Sequence, residues 1–154
     1  MFLPDYGVGA VILTNADSGG MLLDTFQRRL LEILFDGKPE ATGNLDSAVA
    51  RYHADRAKER ERLTIPAAPD QVARLTPHYR NAALGNIDVI RQASSTAFDF
   101  GEYRSAVASR HNDDGTTSFI TITPGLEGFE FVVGDRGGKP ILTIRDAQHE
   151  YVFE

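Results

Sequence analysis

The chain has 154 residues, 42% of them hydrophobic and 25% charged, with 16 Lys and Arg against 22 Asp and Glu, for a formal net charge of −6. That acidic excess argues against nucleic acid as a partner, because proteins that bind a phosphate backbone carry a basic face. The lack of cysteine excludes disulfides, thiolate chemistry and Cys-ligated zinc, and leaves the compartment open.

In chain order, the N-terminal MFLPDYGVGAVILTN is apolar but has no basic leader, and Pro4 and Asp5 interrupt it, so it does not read as a signal peptide. No stretch approaches the ~20 apolar residues that a membrane span needs. Residues 8–14 (VGAVILT) form a β-branched apolar run with little alternation, which predicts a strand buried on both faces. Residues 15–20 (NADSGG) follow as a loop, with Ser18 a candidate helix N-cap. Residues 21–35 are helical in pattern, and Gly37 supplies a C-terminal stop. This helix is apolar around most of its girth. Only Asp24, Gln27, Arg28 and Glu32 offer a wet stripe, so something must cover the rest.

After a loop at 36–43, Asn44 is the expected cap of a second helix running to about Leu63. Leu45, Val49 and Tyr52 give it a narrow apolar stripe, and ADRAKERER after them is nearly all charged. The basic residues Arg56 to Arg62 are interleaved with Glu59 and Glu61, so this reads as a solvated linker helix in preference to a partner-binding one. Pro66 and Pro69 break the chain again, and residues 70–75 have room for one or two helical turns. From Tyr79 onward the character changes. NIDVIRQ, TAFDFGEY, RSAVASR, TSFITIT, GFEFVV, PILTIRD and HEYVFE are short β-rich segments. Turn sequences punctuate them at 111–115, 124–125, 134–138 and 146–148. Regular strands with no helix between them predict an antiparallel meander that curls into a barrel or sandwich.

The two halves obey different rules, since a buried strand followed by a buried helix belongs to an α/β layer. The run LPDYGVGAVILTNADSGG, with Pro4, Gly7, Gly9, Leu13, Thr14 and Asn15, resembles the last core strand region of the β-lactamase-related serine hydrolases. This is the class C β-lactamase and penicillin-binding-protein-like family, in which a long apolar C-terminal helix then packs on the sheet. Some members carry a lipocalin-like β domain after a linker, and residues 79–154 look like it. The resemblance implies a mainly β fold: a strand–helix end of a truncated hydrolase-like domain at 1–37, a helical charged linker at 38–75, and an antiparallel lipocalin-like barrel at 76–154. It also makes an extracytoplasmic location plausible.

The family's catalysis needs an S-x-x-K pair, a Y-x-N or Y-x-S tyrosine, and a K-T-G or H-x-G strand. The chain contains no S-x-x-K, K-T-G or H-x-G. Tyr79-Arg80-Asn81 spells Y-x-N, but it lies beyond the family's C-terminal helix and reads as coincidence. No catalytic, cofactor-binding or metal residue is therefore assigned. His53, His78, His111 and His149 lack metal-ligand spacing among themselves. Asn112-Asp113-Asp114-Gly115 reads as a hairpin turn and not a calcium loop.

The aromatics Phe98, Phe100, Phe119, Phe129, Phe131, Tyr151 and Phe153 are the expected lining of the barrel interior. An eight-stranded barrel either fills with side chains or holds one small ligand, and the filled interior is the preferred expectation. The function expected is that of a non-catalytic accessory module of a β-lactamase-like serine hydrolase, shaping substrate access or assembly. The alternative is a free-standing lipocalin-like binder of a small apolar ligand. The expected partners are a second copy through residues 1–35, or the missing catalytic domain.

Overall fold

The computed structural model describes residues 1–15 and 19–154, so the proposed cap Ser18 lies outside the described residues. The chain divides into two compact units, Met1–Glu59 and Arg60–Glu154.

The first unit opens with a small hairpin. β1 (Phe2–Leu3) pairs antiparallel with β2 (Val8–Gly9) around a 3-10 turn at Pro4–Tyr6. Gly7 ends that turn at φ 63, a left-handed conformation that glycine adopts without a steric penalty. The expected strand over 8–14 is thus much shorter. Residues 10–15 carry no regular structure, and Val11 and Leu13 are 83% and 89% exposed instead of buried. A strand needs neighbours for its backbone groups, and among the described residues β2 pairs with β1 at Val8 and Gly9.

Helix α1 (Gly20–Leu34) follows the apolar pattern. Its end carries the 6→1 bond of a Schellman motif, from the Gly37 N–H to the Glu32 carbonyl at 2.8 Å, after an ordinary helical bond from the Phe35 N–H to the Leu31 carbonyl. The left-handed residue is Asp36, at φ 50, just before the expected stop Gly37. Within the first unit, apolar α1 is only partly covered. Leu22, Leu23, Leu31, Ile33, Leu34 and Phe35 remain exposed, and the buried residue of the helix is Glu32.

Glu32 explains why α2 starts earlier than its sequence suggests. This helix spans Ala41–Glu61, with Asn44 already inside it. Its first amides are held from the other helix, where Glu32 Oε1 accepts from the Glu40 and Ala41 N–H groups, both at 2.8 Å. A carboxylate beside unpaired helix N-terminal amides is favourable through hydrogen bonding and through the helix dipole.

The second unit is the barrel. Beyond a short α3 (Pro69–Val72) run eight antiparallel strands in sequential order: β3 (His78–Asn81), β4 (Gly85–Gln92), β5 (Ser95–Asp99), β6 (Arg104–His111), β7 (Thr117–Thr121), β8 (Glu130–Arg136), β9 (Lys139–Arg145) and β10 (Glu150–Phe153). The seven predicted β segments each hold one of β4 to β10. The 134–138 turn is tighter than expected. β8 continues to Arg136, which pairs with Lys139 across Gly137 and Gly138 at φ 64 and 82. Two positive φ values are what a two-residue hairpin of matching twist requires.

The sheet is nearly closed, and its two edge strands meet where Arg80 and Glu154 exchange backbone hydrogen bonds of 2.8 and 3.0 Å. Asn81 staples the same seam. Its amide donates to the Val152 carbonyl at 2.8 Å, while its side-chain oxygen accepts from the Ala83 and Leu84 N–H groups in the β3–β4 turn.

Residues 60–75 belong to this unit, and so do not form part of the linker expected over 38–75. Thr64 and Ser109 exchange backbone hydrogen bonds, and the Ser109 hydroxyl accepts from the Ala68 N–H. Ala67, Val72 and Leu75 enter the barrel core, and Arg91 donates to the Val72 and Leu75 carbonyls. The sequence signal for a linker was composition, and proline-rich composition does not distinguish a free tether from a segment laid across a barrel end.

Replacing Asn81 with Ala removes one seam bond and leaves two turn amides without their acceptor. The expected cost is about 1–3 kcal/mol, read as a lower urea midpoint with the strand content of the folded state retained. An unchanged midpoint would show that the Arg80–Glu154 pair closes the barrel unaided.

Candidate functional site

The barrel interior is where the sequence places a binding site. Phe98, Phe119, Phe131 and Phe153 are all buried in one core cluster with Tyr79, Ile87, Val89, Val107 and Leu142, and Phe100 and Tyr151 pack against it. Phe131 is the hub. Its ring centroid lies 5.5 Å from that of Phe98, 5.8 Å from Phe100 and 6.2 Å from Phe153, in edge and stacked geometries. Phe119 joins through Phe98 at 5.8 Å. Such offset and edge pairings add about 0.5–1.5 kcal/mol each beyond the area they bury. Phe129 is the exception. It precedes β8, is 51% exposed, and does not line the interior. The period-2 pattern suggested one face for 129, 131 and 133, but the strand begins only at Glu130, so Phe129 is not subject to its alternation.

Polar side chains inside the barrel are all accounted for. Ser105 accepts from the Thr123 N–H, Thr117 donates to Gln71, and the Thr121 hydroxyl accepts from the Phe129 N–H. Among the described residues, no buried side-chain nitrogen or oxygen lacks a hydrogen-bond partner. A ligand entering this interior would have to displace packed phenylalanines and would meet no unsatisfied polar group. Tyr79 of the Y-x-N sequence is part of the same core, and its hydroxyl accepts from the Thr76 N–H at 3.0 Å.

A second candidate lies outside the barrel, an open cleft of about 470 Å³ whose lining includes Arg62, Arg110, Asn112, Glu130 and Arg145. The Ser118 hydroxyl donates to Glu130 Oε1 at 2.6 Å, and Arg110 reaches the same oxygen through Nη2. Asn112 accepts from Arg110 Nε and donates to Ser118. Partial burial pushes the Glu130 carboxyl up, but the bonds from Ser118 and Arg110 and the charges of Arg110 and Arg62 together hold it below its ordinary 4.5. A serine on a carboxylate has the outline of an activated nucleophile. The electrostatics oppose that role, because a carboxylate stabilised as the anion is a poor proton acceptor, and Ser118 itself is fully buried. Arg62 meets Asp113 at 3.4 Å and Arg145 meets Glu150 at 2.5 Å, so the cleft's charges neutralise one another.

The histidines take surface roles. His78 Nδ1 lies 2.7 Å from Asp88 across β3 and β4, and His149 lies 3.6 Å from Asp146. Among the described residues, no group of three or more His, Cys, Asp or Glu is placed to hold a metal. Nor is any of the described helices long and apolar enough to cross a membrane. Asn112 to Gly115 form the β6–β7 turn, where Asp114 accepts from the Thr116 hydroxyl and N–H.

These features define a class: a nearly closed eight-stranded antiparallel barrel with a filled aromatic interior. In comparisons with protein families, curated proteins and solved structures, no family model, curated protein or solved structure matches the chain.

Two outcomes follow from this geometry. Phe131→Ala removes the hub, and the expected loss is about 3–5 kcal/mol of stability, as for buried aromatics generally, measured by denaturant unfolding. The second concerns acid. Glu130, Asp99, Asp114 and Asp146 are all held below their ordinary values in the fold. A depressed folded value means stability that is complete above the unfolded value and lost as pH falls through the folded one. Stability is therefore expected to level off above about pH 4.5 and to fall progressively below it, with Glu130→Gln showing a shallower acid limb. Equal slopes for the two proteins would exclude Glu130 as a contributor.

Proposed function

We propose that this chain is a non-catalytic accessory module of the kind that the sequence resemblance implies for the end of a β-lactamase-related serine hydrolase. The barrel is a shaped, filled body that influences substrate access or assembly, and residues 1–35 are its means of attachment. The observation that carries this reading is the Phe131 hub. An interior filled by aromatic side chains favours a structural barrel over a binder of small apolar molecules. The sequence adds that no Ser-x-x-Lys is available to form an acyl-enzyme. The exposed apolar side chains of α1 and of residues 1–13 favour attachment over free diffusion, since contiguous apolar surface of this kind marks interaction sites.

The test uses the full chain. Incubation with a penicillin-type probe and with ester reporters is expected to give no covalent adduct by intact mass and no turnover above buffer. Titration with a fluorescent fatty-acid analogue is expected to give no saturable binding in the barrel. A serine adduct would overturn the non-catalytic reading, and saturable binding abolished by enlarging a core side chain, such as Val107→Phe, would favour the binder.

A further inference from the structure

The outer cleft of the barrel is balanced in charge but not in hydrogen-bonding capacity, and the sheet register explains its composition. Arg110, Ser118, Val132 and Thr143 form one row across β6, β7, β8 and β9. Side chains alternate along a strand, so Glu130 and Arg145, two residues from Val132 and Thr143, share the face of that row. Phe119 and Phe131 take the opposite face and fill the core. Arg62 arrives from outside the sheet. It lies two residues before Thr64, whose bridge to Ser109 lays the chain beside β6. Three guanidiniums thus line one open cleft of about 470 Å³, a volume in the range of small-molecule sites.

We propose that this cleft binds a small molecule bearing a carboxylate or a phosphate, held by the guanidiniums of Arg62 and Arg145. The acceptors in the cleft already have donors. Glu130 accepts from the Ser118 hydroxyl and Arg110, Asp114 from the Thr116 hydroxyl and N–H, and the Asn112 oxygen from Arg110 Nε. The donors are in surplus. A guanidinium presents its N–H groups in a planar fork, and among the described residues Arg62 engages only Nη2 and Arg145 only Nε. Both engagements are exchangeable. Arg62 meets Asp113 at 3.4 Å with Asp113 97% exposed, and Arg145 and Glu150 are 63% and 50% exposed. Ion pairs this open to water contribute little, so an oxyanion that offers two oxygens to either fork can replace them. Arg110 is largely buried, and its bonds to Glu130 and Asn112 fix the wall of the cleft. Arg62, Arg110 and Arg145 are matched there by Asp113, Asp114 and Glu130, and the chain as a whole carries −6. Recognition therefore rests on short bidentate bonds and not on long-range attraction.

The experiment is an NMR titration of the isotope-labelled full chain with inorganic phosphate and, separately, with succinate. It is run near neutral pH with ionic strength held constant by chloride. Saturable shifts are expected at the Nε–H signals of Arg62 and Arg145 and at the amides of residues 112–116, and the tighter probe identifies the headgroup. Arg62→Lys and Arg145→Lys keep the charge and lose the fork, and each is expected to weaken binding about tenfold. Arg136→Lys, at a side chain that pairs with Glu154 outside the cleft, is expected to leave it unchanged. All three positions are exposed, and the backbone spectrum of each variant reports its fold in the same titration. The absence of saturable shifts with both probes overturns the proposal. Binding that survives both cleft substitutions, or shifts that chloride alone reproduces, also overturns it. The covalent-probe result above is independent of every one of these outcomes, so the non-catalytic reading stands or falls separately.

Discussion

The contact of Phe131 with Phe98, Phe100 and Phe153 sets the character of the barrel. These rings come from β8, from β5 and the residue after it, and from β10, so the contacts run across the interior and not only along neighbouring strands. Rings that meet through the middle of a barrel occupy space that side chains or a small ligand can fill. They also tie strands that are not hydrogen-bonded to one another, which a sheet ladder alone does not do. The segment around Ala67, Val72 and Leu75 joins the same cluster.

Around that centre, the chain repeatedly uses one side-chain oxygen to satisfy two backbone amides. Glu32 does so for the start of α2, Asn81 for the β3–β4 turn, and Asp146 for the β9–β10 turn. Each replaces solvation of unpaired N–H groups by a fixed acceptor, as capping theory requires. Glu32 differs in bridging two helices. Burial opposes its charge, yet the Glu40 and Ala41 amides together with Arg29 and Arg28 hold its carboxyl below the usual value. The α1–α2 hairpin is organised by this acid, which explains why the buried position of an otherwise apolar helix is polar.

The two units consequently differ in how their surfaces are finished. The barrel satisfies its interior polar groups and lines its outer cleft with paired charges, Arg110 with Glu130 and Arg145 with Glu150. The N-terminal unit leaves Phe2, Val11, Leu13 and Ile33 mostly in water.

How much of this was legible beforehand depended on the range of the forces involved. Hydrophobic period and turn chemistry are local, and they placed seven of the eight barrel strands, α1, and four of the interior phenylalanines from sequence alone. The eighth strand, β3, falls in YRNAALGNIDV, the stretch expected to open the first strands, and its Tyr79 and Asn81 proved to be a core residue and a seam staple. Other features had no local signal. Gly37 was expected as the stop after α1, and the left-handed residue there is Asp36, which lets the Gly37 N–H reach the Glu32 carbonyl. The start of α2 depended on Glu32, eight residues before Glu40. Residues 64–75 read as a tether until Ser109, Arg91 and the barrel core claimed them. The run VGAVILT carries strand propensity throughout, but propensity supplies no partner, and among the described residues the backbone pairing stops at Ala10. The amino-acid sequence by itself determined which segments prefer to be strand or helix and which side chains must leave water. Only the tertiary structure decided which backbone groups meet, because a hydrogen bond needs its second half within about 3 Å, and no local pattern records where that half will be.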